Sequence, residues 1–137
     1  MSKVLCPTPQ WGVKNPVRNT DNFIETFLTP KTDYPVKDYF EIFRWHRYID
    51  NNWIQELIAE MPYDAFLLSR YWENIRLYKL AKANFKCEKC GKSYGLNVHH
   101  LKYDNHGLEH YKDVAENDLI VLCKDCHKLT HLRGGVL

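Results

Sequence analysis

CEKCGKSYGLNVHHLKYDNHGLEHYKDVAENDLIVLCKDCHKLTH, residues 87–131, decides how the rest of the chain is read. It opens on Cys87-x-x-Cys90, carries the adjacent pair His99-His100, and closes on Cys123-x-x-Cys126 followed by His127 and His131. Thiolates and imidazoles at these spacings are metal-ligand chemistry. Four cysteines make a tetrahedral set with no open position, the pattern of a structural zinc site. The 91–122 stretch between the pairs is longer than a simple zinc ribbon needs, so something folded lies there. His127 and His131, four apart on an expected helix, can turn their rings to one ion. With His99 they would leave coordination positions for water and phosphate oxygens, as catalytic metal sites do. Alternatively one of them completes the zinc site in place of a cysteine. Four thiols already fill that site, so a second metal is the simpler account.

The remaining residues bound the setting. At 137 residues, 45% hydrophobic and 26% charged, the chain suits one globular domain, or one domain with an extension. The net charge of +2 names no partner, but its distribution leans. The first 60 residues carry 7 basic and 8 acidic side chains, and the rest 12 and 9, so the basic excess lies with the metal motifs. The sequence shows no apolar export-signal core and no run long enough to span a bilayer, so the expectation is a cytoplasmic protein with no membrane partner. In a reducing compartment paired Cys-x-x-Cys motifs hold metal rather than disulfides. Cys6 is left over as a free thiol.

Outward from the motif, the order reads strand (Leu96 to Leu101), polar hairpin loop (102–118), strand (Leu119 to Leu122) and helix (Lys124 to Leu132, closed by Gly134-Gly135). Upstream, residues 64–85 read as a helix with Leu77, Tyr78, Leu80, Ala81 and Phe85 on one side. Arg76, Lys79, Lys82 and Lys86 gather on the other, as a solvated face or a phosphate-contacting one. Residues 37–61 lack Gly and Pro, and place Phe40, Phe43, Ile54, Leu57, Ile58 and Met61 at helical steps. Asn51-Asn52 is a candidate break and Pro62 a stop. Five of the six prolines fall before residue 37, which reads as an extended arm. One short helix is expected within it, from Asp21 or Asn22 to Leu28, on the weak capping pair Asn22 and Glu25. The expected division is an arm and helical extension over 1–62 and a metal-binding domain over 63–137.

His99 and His100 fall on a strand, where neighbours face opposite sides. One can bind metal while the other stays free as a base, since an imidazole titrates near neutral pH. The constellation resembles the HNH endonuclease family, over about residues 66–131. VHHLKY and NDLIVLCKDCHKLTH carry the resemblance, and SRYWENIRLYKLAKANFKCEKCG is similar to the helix that precedes the motif in phage and bacterial members. It implies an α+β fold, a small ββα-metal core with a four-cysteine zinc site, here behind a mostly helical N-terminal extension. It implies His99 as metal ligand, His100 as general base, and His127 and His131 as further ligands.

The family's middle asparagine stands directly before the apolar strand. Here Asp118 holds that place and Asn117 lies one residue further out. Asp118 would either orient the loop of the base through a side-chain acceptor or ligate the metal, and either residue is a candidate for the role. The implied activity is hydrolysis of DNA phosphodiester bonds with one catalytic divalent ion, leaving 5′-phosphate and 3′-hydroxyl ends. Magnesium is the expected ion, and a histidine-rich site also suits manganese, nickel or zinc. Cutting both strands would call for two sites and hence a homodimer, with the 37–61 segment available as its interface. The rival reading is a non-catalytic zinc module that binds nucleic acid or protein. It would need the cysteines but not the histidines.

Overall fold

The computed structural model describes residues 16–31, 38 and 40–132, with side chains from Asn19 to Thr130. In chain order it contains α1 (Pro16–Phe27), a 3-10 turn (Glu41–Arg44), α2 (Asn51–Glu60), α3 (Tyr63–Leu67) and α4 (Arg70–Lys82). β1 (Leu96–His100), α5 (Lys112–Asn117), β2 (Leu119–Cys123) and α6 (Lys124–Leu132) follow. The architecture is mixed α+β, with one antiparallel two-stranded sheet among the described residues.

Local chemistry sets most boundaries. α1 opens on Pro16, whose fixed φ and missing N–H suit a first helical position. The 16–27 stretch is therefore helical where an extended arm with a shorter helix was expected, and Asn22 and Glu25 lie inside α1 rather than at its start. Asp50 caps α2 by accepting the Trp53 amide at 3.1 Å, so the apolar 37–61 segment is a 3-10 turn, a connection and a helix. The expected 64–85 helix is two helices. Ser69 interrupts it, its hydroxyl accepting the Trp72 amide at 3.1 Å as the cap of α4. The break also lets the chain pair with the end of the arm, Lys31 N to Leu68 O at 2.7 Å and Arg70 N to Thr29 O at 2.9 Å. α4 stops at Lys82, since Asn84 and Phe85 take left-handed φ values of 55° and 54° and turn the chain toward Cys87.

One core runs through most of the described chain, from Phe23 to Leu119. Phe23 and Phe27 of α1, Ile42, Phe43, Trp45 and Ile49, and Ile54 and Ile58 of α2 meet Phe66, Tyr71, Trp72, Ile75 and Tyr78, then Ala115 and Leu119. Each large apolar side chain buried there contributes about 1.5–3 kcal/mol. Core residues from both sides of residue 62 share this cluster. A second, small cluster holds Cys87, Leu122 and Cys123, with Leu96, Ile120 and Cys126 against it.

β1 and β2 pair with Leu96 opposite Cys123, His99 opposite Ile120 and His100 opposite Leu119. β2 is mostly buried and β1 only partly so. The connection between them is not a plain hairpin loop. It contains α5, and it buries Gly107, Glu109 and His110. Gly107 has φ +98°, and a Cβ there would meet Gln55 of α2 at 2.9–3.0 Å, so only glycine lets the loop approach that closely. Cys6 and the closing Gly134-Gly135 lie outside the described residues.

Candidate metal centre and histidine cluster

Cys87 and Cys90 follow the left-handed turn after α4, Cys123 ends β2, and Cys126 lies in the first turn of α6. The fold brings the two pairs together, with all four sulfurs within 4.8 Å of one another and Cys90 Sγ 3.5 Å from Cys123 Sγ. A tetrahedron with zinc–sulfur bonds of about 2.3 Å has edges of roughly 3.8 Å, so the donor set fits. Backbone amides point at the sulfurs. Lys89 and Cys90 donate to Cys87, and Cys126 donates to Cys123, each at 3.4 Å. Burial pushes the Cys87 thiol up, but amide hydrogen bonds outweigh it and hold the group at about 6. Sharing with Cys123, then burial, pushes Cys126 up to about 12. Thiols this close do not all ionise side by side, and a divalent cation among them removes the conflict. The four-cysteine group can hold a metal such as zinc.

His99 of β1 and His127 of α6 come together on one side of the sheet, their ring centroids 3.6 Å apart. These are two of the three expected ligands to the open metal. The third, His131, lies one turn later on α6, and its side chain is outside the described residues.

The adjacent His100 is not a free ring. It is 2% exposed. Trp72 stacks on it (5.2 Å, 18°), and so does Tyr103 (4.7 Å, 22°). Its Nε2 lies 2.7 Å from Oε2 of Glu109, which is fully buried. The same carboxylate takes His106 Nδ1 on Oε2 at 2.8 Å and the Gly107 amide on Oε1 at 2.7 Å. Burial raises the Glu109 pKa, but the hydrogen bonds from His100 and His106 outweigh it and hold the carboxyl at about 2.

Behind Glu109 the network continues. The Tyr71 hydroxyl lies 3.2 Å from Glu109 Oε1 and 2.9 Å from His110 Nδ1, and it accepts the His110 amide at 3.0 Å. His110 Nε2 lies 2.8 Å from Asn51 Oδ1, while Asn51 Nδ2 donates to the His46 carbonyl at 2.7 Å. Burial, with a smaller push from His46, lowers His110 to about 3 against the attraction of Glu109.

Asp118 is buried at the end of α5. One carboxylate oxygen accepts from Asn105 Nδ2 at 2.9 Å, and the other is 3.8 Å from Lys102 Nζ. Both contacts are to residues of the loop that follows His100. Asn117, the last residue of α5, is exposed.

The basic face of α4 is not continuous. Arg76 pairs with Glu73 at 3.2 Å. Lys79 is buried, donates to the Glu116 carbonyl at 3.0 Å and lies 3.9 Å from Glu88. Lys82 is 4.0 Å from Glu116, and Lys82 and Lys86 are exposed. Trp72 and Ile75, which fall on the expected basic side, are in the core.

Sequence reading passed over Glu109, His106, His110 and Tyr71. The clue was an acid and two histidines within a loop classed as polar. Spacing alone did not show that this loop turns inward.

No family model matches the chain, and no solved structure matches it. The chain is 36% identical over 73 residues to the Zorya protein ZorE of Escherichia coli (strain ATCC 8739), covering 47% of this chain and 17% of that protein. It spans less than a fifth of the relative's length.

Proposed function

We propose that this protein is a metal-dependent DNA endonuclease of the HNH type. The observation that carries the reading is the meeting of the His99 and His127 rings 3.6 Å apart, with a firmly held histidine next in sequence. His99 and His127, with His131 as the expected third ligand, would hold the ion. When bound, a divalent ion such as Mg²⁺ neutralises charge on the phosphate and on the departing 3′ oxygen. His100 takes the proton from the attacking water, an oxygen–phosphorus bond forms, the bond to the 3′ oxygen breaks, and that oxygen takes a proton from solvent water. The ends are a 5′-phosphate and a 3′-hydroxyl. Asp118 serves by fixing the loop after His100, with Asn117 beside it as the other candidate for the motif's middle position. The exposed Lys82 and Lys86 are the members of the basic set able to meet the backbone of duplex DNA.

The four cysteines alone would also serve a non-catalytic zinc module that binds nucleic acid or protein. That reading gives the histidine pair no task.

Supercoiled plasmid incubated with purified protein and Mg²⁺, Mn²⁺ or Ni²⁺ tests the proposal. Cleavage is expected. His100→Ala should lose about 10²–10⁴-fold in rate and keep its zinc. His99→Ala and His127→Ala should instead raise the metal concentration needed. If the wild-type protein cuts with none of these ions, the zinc-module reading takes over.

A further inference from the structure

We infer that Glu109 is a positioning residue that fixes the tautomer of His100 with its proton on Nε2, so that Nδ1 is the atom that accepts the proton from water. The inference rests on the nuclease reading for its chemistry and on geometry for its assignment.

Oε2 of Glu109 lies 2.7 Å from His100 Nε2 and 2.8 Å from His106 Nδ1, and Oε1 takes the Gly107 amide at 2.7 Å. The Gly107 N–H can only donate. An ionised carboxylate can only accept, so both histidine nitrogens facing it must carry hydrogen. A neutral imidazole has one N–H, and with Nε2 protonated its lone pair sits on Nδ1.

Tyr71 does not compete for this role. Asn51 gives its amide group to the His46 carbonyl, so its oxygen faces His110, and His110 Nε2 must be the donor there. His110 Nδ1 then accepts, and at 2.9 Å it takes the Tyr71 hydroxyl proton ahead of Glu109 at 3.2 Å. The carboxylate is left to hold His100 and His106.

Orientation is fixed as well as tautomer. Trp72 covers one face of the His100 ring and Tyr103 stacks on it too, so the ring does not flip without opening the core. His100, His106 and Glu109 offer ligand atoms within 4.8 Å and would also suit a cation. The hydrogen-bonded assignment is preferred because both histidine nitrogens lie at hydrogen-bond distance from one carboxylate oxygen, 2.7 and 2.8 Å, with no room for an ion between them.

The test pairs Glu109→Gln with imidazole ¹⁵N NMR on the zinc-loaded full chain. The amide keeps the size of the side chain but offers one acceptor oxygen where two histidine donors and an amide need three bonds. Expected in the variant are retained zinc, a folded ¹H–¹⁵N spectrum and a loss of up to about 10⁴ in kcat with KM for plasmid little changed, the scale seen when a histidine base loses its orienting carboxylate. His100 in the wild type should show an unprotonated Nδ1, and in the variant a mixture of tautomers. A folded variant that cleaves at the wild-type kcat overturns the inference.

If Glu109→Gln does not fold, the wild-type spectrum alone decides, and a His100 proton on Nδ1 overturns it. Mn²⁺ titration adds a further check. A binding step lost in Glu109→Gln but kept in His99→Ala would make the cluster a metal site and overturn the inference. The NMR result does not depend on cleavage. A wild-type protein that cuts nothing yet shows Nδ1 unprotonated sinks the nuclease reading and leaves the Glu109 assignment standing.

Discussion

A lysine on a helix surface reads as a charge offered to solvent until burial says otherwise. Lys79 is only 8% exposed, and its ammonium is hydrogen-bonded to the Glu116 carbonyl, 3.0 Å away. Holding a chain this long costs entropy, and the return is a link between α4 and the C-terminal end of α5. Lys82 and Lys86 have open surface around them. The two kinds of lysine should separate in experiment. Lys79→Ala should lower stability by about 1–3 kcal/mol, the worth of a buried hydrogen bond to a charged group, and leave the salt dependence of DNA binding unchanged. Lys82→Ala and Lys86→Ala should leave stability nearly unchanged and each flatten the log-affinity against log-salt slope by about 0.9. Urea unfolding and binding isotherms at several salt concentrations distinguish them. A Lys79→Ala protein of wild-type stability with a flattened slope would return this residue to the proposed DNA-contacting set.

Elements were legible where their signal is local. Short runs rich in apolar residues, bounded by turn and polar segments, placed both strands to within a residue, and Lys124–Leu132 has the expected bounds of α6. Elements defined by distant partners were not. The Ser69 break exists because residues 29–31 pair there. α5 has only Val114 and Ala115 to bury, too little for a helical stripe. The cysteine pairs were legible from spacing because a tetrahedral ion demands it. The Glu109 contacts were not, since spacing does not say that a loop folds inward.

The same division sets the response to metal removal. The four-cysteine end rests on a small cluster around Cys87, Leu122 and Cys123, while the main core runs from Phe23 to Leu119 without it. Zinc binding in such sites is worth about 10–16 kcal/mol, far more than that cluster supplies alone. A strong chelator should therefore melt the 86–96 turn, the Cys123 end of the sheet and α6 first. Amide exchange at α1, α2 and α4 should stay slow. Uniform loss of protection across all helices would show that the metal supports the whole fold at once.

At the scale of the molecule, His110 joins the N-terminal helices to the histidine cluster. Phe23 of α1 packs on its ring at 5.5 Å, Asn51 of α2 takes its Nε2, and Tyr71 of α4 takes its Nδ1. Tyr111 lies beside it at 5.3 Å, tilted by 56°, and besides Tyr71 the titratable neighbours that act on it are Glu109 and His46. Burial holds the folded ring neutral down to about 3, whereas the unfolded ring takes a proton near its ordinary 6.5.

The sign follows from linkage. Below pH 6.5 the unfolded state binds a proton that the folded state refuses, so stability is full above 6.5 and is lost as pH falls toward 3. The slope this one group contributes approaches about 1.4 kcal/mol per pH unit inside that window. Glu109, held at about 2, acts in the same direction, but only once pH falls below the ordinary carboxylate range. The interval from pH 6.5 to 4.5 therefore isolates His110 from it.

Other groups also respond to acid, so the difference between two proteins is the quantity to measure. His110→Gln keeps a donor and an acceptor but does not titrate. It should be less stable than the wild type at pH 7.5, with the gap closing as pH falls to 4.5. Urea midpoints at half-unit steps of pH, in saturating zinc, read this out. Parallel curves for the two proteins would mean that His110 takes up its proton while folded, and that the joint between the two halves of the chain is not closed to acid.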